Sequence, residues 1–395
     1  MPKVLKIIFL GILNILIFGL FSYLIISQNI FNLKEPLVFL EPLLQEKISP
    51  EQRILNQLTL EQKAGQLFLI GFEGRILTPE LENLIKTIHP GGILLLSRNI
   101  GSEEQLKKLI KSLQKTSLED SGLLLFIAVD QEGEPMSRIK WLSEKTSQSE
   151  IQNIKEAYQV GFNRGKELKN LGINLNLAPV LDIVKPDDFL YSRSFQKTPE
   201  DYNPPTSSSQ PPPGGWAPTG ELAKALISGQ KTAGILTAIK HFPGYGGITF
   251  NPERENLPVL LKIPEISQFK TSLQVQPEMI MVANVIYKEI DQNFPFSLSS
   301  QGIQFLKSEL KNNFLIISDD LSSPVLKKEF SLKNTVILAF QSGIDILIVA
   351  GFDDPKDPLS AYNFLLEAAK NGEISEKRIE QAVLKIIKLK QNLLQ

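Results

Sequence analysis

The residues best suited to chemistry stand where apolar runs end. LLLFIAVD (123–130) ends in Asp130, with Gln131, Glu132 and Gly133 behind it. ILTAIKHF (235–242) ends in Lys240, His241 and Phe242, and FLIISDDL (314–321) carries Ser318, Asp319 and Asp320. A lone Asp after a strand is commonly a helix N-cap, and a Lys-His pair is commonly a paired lysine beside a satisfied histidine. Three ionisable strand ends that converge are a stronger signal. Carboxylates and a lysine make strong charge-assisted hydrogen bonds to a polar ligand, and a carboxyl can also serve as nucleophile or general acid.

The elements that would bring them together are legible as eight short apolar runs. The other five are LFLIGF (67–72), GGILLL (91–96), INLNLAPVLDI (173–183), MIMVANVIY (279–287) and DILIVAG (345–351). Amphipathic stretches such as EEQLKKLIKSLQK and IQNIKEAYQVGFNRGKELKNL lie between most of them. Near-continuous apolar strands alternating with helices predict a parallel sheet covered on both faces. Eight such units point to an α/β fold of the (β/α)8 TIM-barrel type, whose active site lies at the C-terminal ends of the strands. A doubly wound open sheet is the alternative; no G-x-G-x-x-G follows the first strand, so a dinucleotide site has no support. Helix starts are marked by Ser49-Pro50-Glu51-Gln52 and by Thr59-x-x-Gln62.

Composition narrows the chemistry. The 395 residues include no cysteine and only two histidines, His89 and His241. Disulfides, thiolate nucleophiles, thiolate metal sites and three-histidine zinc sites are excluded. With 42 basic and 43 acidic residues the formal net charge is −1, so no global field draws nucleic acid as a partner.

At these residues the chain resembles the β-N-acetylglucosaminidase (β-N-acetylhexosaminidase) branch of the family 3 glycoside hydrolases. GQLFLIGF, HPGGILLLSRNI, AVDQEG, LNLAPVLDI, YSRSF, IKHFPGYGG, ANVIY and ISDDLS follow that family's motifs in order, from about Leu58 to the end of the chain. The resemblance implies one barrel domain, no metal or other cofactor, a carbohydrate substrate and a retaining mechanism through a covalent glycosyl-enzyme. It places the nucleophile on Asp319 and the sugar-holding residues on Asp130, Arg138, Arg193, Lys240 and His241. Cations among these would also favour an ionised nucleophile.

One part of the pattern is missing. The family continues from KHFPGHG to an Asp-Ser-His that forms its acid/base dyad; here the chain reads KHFPGYGGITFNPERENLP. Tyr245 replaces the first histidine, and Asn251-Pro252-Glu253 stands where Asp-Ser-His is expected. His89 precedes Pro-Gly-Gly at the start of the second strand, which places it at the bottom of a barrel. Retaining glycosidases need a second group that protonates the leaving oxygen, and a carboxylic acid commonly fills the role. Glu253 is the candidate acid/base, with Glu255 as its rival, and Arg254 must point away for Glu253 to stay protonated near neutrality. Two functions remain open: an exo-glycosidase, or a sugar-binding protein of the same fold with impaired turnover.

The N-terminus reads as membrane-directed. Ile7–Ile26 is twenty residues without a charge, behind Lys3 and Lys6. Such a helix spans about 30 Å, the thickness of a bilayer core, and the lysines place the remainder outside the cytoplasm. A cleaved secretion signal is the alternative, though the flank SYLIISQN lacks a small-residue cleavage site. The expected layout is an anchor over 1–27, a linker over 28–49 and the barrel over 50–395. Within the barrel, about 198–218 (TPEDYNPPTSSSQPPPGGWAP) reads as a Pro/Ser-rich insertion that packs no core.

Overall fold

The protein's computed structural model describes residues 48–196, 218–311 and 314–394. The candidate anchor at 7–26, the linker up to residue 47, and 197–217 of the Pro/Ser-rich segment lie outside the described residues. Among the described residues no helix is long and apolar enough to cross a membrane.

Each of the eight apolar runs contributes one strand to a single parallel sheet. The strands are β1 (Phe68–Ile70), β2 (Gly92–Leu95), β3 (Phe126–Val129), β4 (Leu175–Asn176), β5 (Leu236–Phe242), β6 (Met279–Val282), β7 (Leu315–Ser318) and β8 (Leu347–Val349). They pair in chain order, and β8 returns to β1 in the register Phe68↔Leu347 and Ile70↔Val349. The remaining seam, between β7 and β8, carries one bridge, Ile317↔Ile346. Backbone bonds there run from Ser318 N–H to Ile346 O (3.0 Å) and from Leu321 N–H to Ile348 O (2.9 Å). Side chains complete it: Ile348 N–H donates to Ser318 Oγ (2.9 Å), Ala350 N–H to Asp320 Oδ1 (3.0 Å) and Gly351 N–H to Ser322 Oγ (3.0 Å).

Strand β4 is short because Pro179, two residues on from Leu177, has no N–H for the ladder; contact with β5 resumes as the bridge Val180↔Lys240. All seven residues of β5 are buried, as a strand covered on both faces requires. Among the described residues eleven α-helices precede, connect or follow the strands: α1 (Pro50–Gln57), α2 (Leu60–Gln66), α3 (Pro79–Ile88), α4 (Glu103–Ser121), α5 (Ile154–Asn170), α6 (Thr219–Thr232), α7 (Ser267–Ser272), α8 (Ser300–Glu309), α9 (Pro324–Ser342), α10 (Asp357–Lys370) and α11 (Glu376–Gln391). Helix α2 starts at the Thr59/Gln62 capping box read from the sequence. Helix α4 starts at the Ser102 cap and buries Leu106, Leu109, Ile110 and Leu113. That is the i, i+3, i+4, i+7 stripe of a surface helix, and each such leucine contributes roughly 1.5–3 kcal/mol. Residues Ile54–Gln395 form one compact unit.

Candidate active site

A cavity of about 290 Å³ opens beside the strand ends of the barrel. Asp130, Arg138, Arg193, Lys240, His241, Glu253 and Asp319 all line it, together with Asp320, Asn251 and Arg254. Its volume is at the lower end of the range for small-molecule sites. Leu94, Leu177, Met281 and Ile348 supply apolar surface from four strands or their flanks.

Adjacent residues of a regular strand point to opposite faces, yet Lys240 and His241 both reach the cavity. The pairing of β5 with β6 explains this. Ile239↔Ile280 is followed by Phe242↔Val282, so β5 spends three steps where β6 spends two. The extra residue is a bulge, which re-aims side chains at a strand end. Asp182, beyond β4, fixes the result. Its Oδ2 accepts from the His241 backbone N–H (3.0 Å) and lies 2.9 Å from the ring Nδ1. A carboxylate has no proton to give, so Nδ1 carries the proton in that contact.

The cations form a cage with the buried Glu132 and the half-buried Asp130. Lys240 Nζ lies 2.7 Å from both Asp130 Oδ1 and Glu132 Oε1. Arg193 donates to Glu132 through Nε (2.9 Å) and Nη2 (2.7 Å), and Arg138 Nη2 reaches Asp130 at 3.4 Å. Burial alone would raise the Asp130 carboxyl, but Lys240 and Arg138 outweigh it and hold the group well below the usual carboxylate range. The same opposition sets Glu132 at about 2, with Arg193 and Lys240 the dominant neighbours. For Lys240, burial favours loss of the proton, and the two carboxylates reverse this and raise its pKa. Arg138 Nε is buried without a hydrogen-bond partner. Gly133 ends the short strand Gln131–Gly133 at φ +101; a Cβ there would stand 2.1 Å from Thr146 O, which only glycine avoids.

Asp319, at the end of β7, is outside that cage. Its hydrogen bonds run elsewhere than to the cations, which pair with Asp130 and Glu132. Asp319 Oδ1 accepts the Asp320 N–H (2.8 Å), and Oδ2 accepts the Tyr245 hydroxyl (2.8 Å). Asp320 turns its Oδ1 to Ser322 and Ala350. Burial raises its carboxyl to about 6, despite hydrogen bonds from Ala350 and Ser322 that oppose the rise.

The loop after β5 separates the two candidate acids. Glu255 Oε1 accepts the Asn251 N–H (2.9 Å), so it ties the loop to itself. Glu253 instead lines the cavity with Asp319. By accessible surface Glu253 is an exposed residue at the rim of the cavity. Desolvation at the mouth, then the charges of Asp319 and Asp320, nonetheless push its carboxyl up to about 7. Arg254 lines the cavity too, but its guanidinium pairs with Asp353 at 3.6 Å. His89 caps α3 in the left-handed region (φ 55) and sets Nδ1 2.6 Å from Asp120, at the opposite end of β2 from the cavity.

Three residues that sequence reasoning left without a role complete the arrangement: Glu132, Asp182 and Tyr245. Glu132 and Asp182 lie inside the AVDQEG and LNLAPVLDI motifs, so their position was visible. Their partners lie 61 and 59 residues away in the chain, and only folding reveals them.

A model described as the glycosyl hydrolase family 3 N terminal domain matches residues 59–205 and 215–389. A beta-hexosaminidase of Idiomarina loihiensis is 28% identical over 295 residues, covering 71% of this chain and 82% of its own. One from Nitrosomonas eutropha is 28% identical over 320 residues, covering 76% and 85%. A solved glycoside hydrolase family 3 beta-N-acetylglucosaminidase from Paenibacillus sp. str. FPU-7 superposes with TM-score 0.75 at 27% identity; the match covers 85% of this chain and 63% of that longer one. The family match takes in every strand of the barrel and every residue of the cage, and the chain therefore belongs to glycosyl hydrolase family 3 and is a glycosidase.

Proposed function

We propose that the protein is a retaining exo-glycosidase that removes terminal β-linked N-acetylglucosamine, or a related N-acetylhexosamine, from glycans or cell-wall fragments. The beta-hexosaminidase names of its relatives support the sugar. One observation carries the mechanism: Glu253, with its carboxyl raised to about 7, lines the same cavity as Asp319. Two carboxyls whose surroundings give them different tasks are the signature of acid and nucleophile. In this reading Asp319 attacks the anomeric carbon while Glu253 protonates the departing oxygen. Glu253 then takes a proton from the water that releases the sugar. Asp130 accepts from ring hydroxyls, and Arg138, Arg193, Lys240 and His241 hold the ring and its acetamido group. The domain layout is an anchor over 1–27, a linker over 28–49 and a barrel over 50–395, with the barrel outside the cytoplasm.

The test is aryl β-N-acetylglucosaminide hydrolysis by the detergent-solubilised full chain. Glu253→Gln is expected to slow substrates with poor leaving groups by about 100-fold or more, while sparing the first step for activated ones, with partial rescue by azide. Because the acid acts protonated, wild-type turnover of poor leaving groups falls as pH rises through about 7, and Glu253→Gln lacks that limb. Asp319→Asn abolishes turnover. A second reading, a sugar-binding protein with impaired turnover, is favoured by the absent Asp-Ser-His; small and equal effects of Glu253→Gln and Glu255→Gln would put it first.

A further inference from the structure

Read from sequence alone, Tyr245 marks a loss, because it occupies a histidine position of the resembled family. The geometry points to a gain: we infer that Tyr245 is a positioning residue that steers the Asp319 carboxylate and eases its departure from the glycosyl-enzyme. The inference rests on the reading of Asp319 as nucleophile.

The hydroxyl of Tyr245 has one proton and two neighbours. Asn284 N–H, at 2.8 Å, can only donate, so the hydroxyl oxygen accepts there. Its own proton is thereby directed at Asp319 Oδ2, also at 2.8 Å. Burial, and then Asp319 beside it, raise the phenol's pKa well above the ordinary value. It stays a donor throughout the working pH range and cannot serve as the acid/base. The rest of the side chain is held from three directions. Gly244 turns the chain at φ +144, the Tyr245 N–H donates to Asp182 Oδ1 (2.6 Å), and the ring packs edge-on to His241 at 5.0 Å. Asn284 is itself fixed by Ser297 Oγ (2.6 Å) and by Asp320 O (3.2 Å). The donor is therefore in place before any substrate arrives, which is what makes a hydrogen bond useful to a reaction.

Its effect differs between the two steps. In the first, an Asp319 oxygen bonds to the anomeric carbon, and the leaving oxygen departs with its electron pair and a proton from Glu253. In the second, water oxygen bonds to the anomeric carbon and its proton passes to Glu253. The carbon–Asp319 bond breaks, and its electron pair returns to the carboxylate. Negative charge thus reappears on Asp319 in the second step, where the Tyr245 donor stabilises it. Removing the donor should burden that step most.

The experiment compares wild type with Tyr245→Phe, as full chains, on an aryl β-N-acetylglucosaminide with an activated leaving group. Tyr245→Phe is expected to lower kcat about 10- to 100-fold, the usual effect of losing a charge-assisted hydrogen bond, and to lower KM with it. A burst of phenol should precede the slow steady state, with one sugar mass accumulating on the Asp319 peptide. The acid limb of kcat/KM should move to higher pH, because a donor to the charged form is gone. Tyr245→His keeps a donor and should show little burst. An unchanged acid limb with no burst, or an equal burst in Tyr245→His, overturns the inference. A slow fluorosugar that tags wild-type enzyme on another carboxylate overturns the assignment of Asp319 and this inference with it.

Discussion

Replacing Glu132 by Gln asks whether the cavity's cations Arg193 and Lys240 are held by charge or merely by shape. Gln keeps the volume and one acceptor oxygen, but removes the charge that meets Arg193 at 2.7 and 2.9 Å and Lys240 at 2.7 Å. Glu132 is 2% exposed, so water cannot substitute. Its carboxyl titrates at about 2 against an ordinary 4.5. At about 1.36 kcal/mol per pH unit the ionised form contributes roughly 3 kcal/mol to folding. Deleting one partner of a buried pair costs about 3–5 kcal/mol, the same order. For a unit as long as Ile54–Gln395, unfolding entropy scales to a loss of about 1.5 °C per kcal/mol, so Glu132→Gln should melt about 4–5 °C lower at pH 7. The folded pKa is depressed, so this stabilisation is fully present above about 4.5 and fades as pH falls through about 2. The difference between wild type and variant should therefore shrink to less than half by about pH 3. Melting curves at pH 7, 5 and 3, with kcat/KM at pH 7, make the assay; kcat/KM should fall at least about tenfold as Arg193 and Lys240 lose their anchor. A difference that stays constant from pH 7 to pH 3, or no difference at pH 7, would refute the charge argument.

Other outcomes follow from the same geometry. Arg254→Ala should leave the pH limb assigned to Glu253 in place, because the guanidinium is engaged by Asp353; a large upward move in a leaving-group series would show that Arg254 acts on Glu253. The uncharged run at 7–26 should hold the protein in the membrane with its barrel outside. Fractionation and external protease on intact cells check this, and a soluble protein processed near residue 28 would refute the anchor.

The barrel was legible because each strand is an apolar run closed by a polar or glycine-rich end, and that pattern depends on neighbours in sequence. The bulge at Lys240–His241 was not, since it exists only relative to Ile280 and Val282 on β6. The same division holds in the site. Strand-end residues such as Asp130 and Asp319 could be picked by position, whereas the candidate acid/base, Glu253, kept Glu255 as a rival. Glu253 and Glu255 differ by two places in a loop of no regular period. What separates them is where the loop turns: Glu255 bonds back to Asn251, and Glu253 faces the cavity. Tyr245 misled because an exchange of residue type reads as a deletion of function until its hydroxyl is seen on Asp319.

The seam between β7 and β8 changes what the SDD signature can be asked to prove. Ser318, Asp320 and Ser322 accept the N–H groups of Ile348, Ala350 and Gly351 with their side chains. A lineage that abandoned catalysis would still need Ser318 and Asp320 to shut its barrel. Asp319 is different, for its carboxylate accepts nothing from β8 and its backbone N–H bonds to Val282 O on β6. In a set of related chains, with Asp319 as the proposed nucleophile, drift at position 319 alone would report the loss of chemistry, while drift at 318 or 320 would report a barrel coming open.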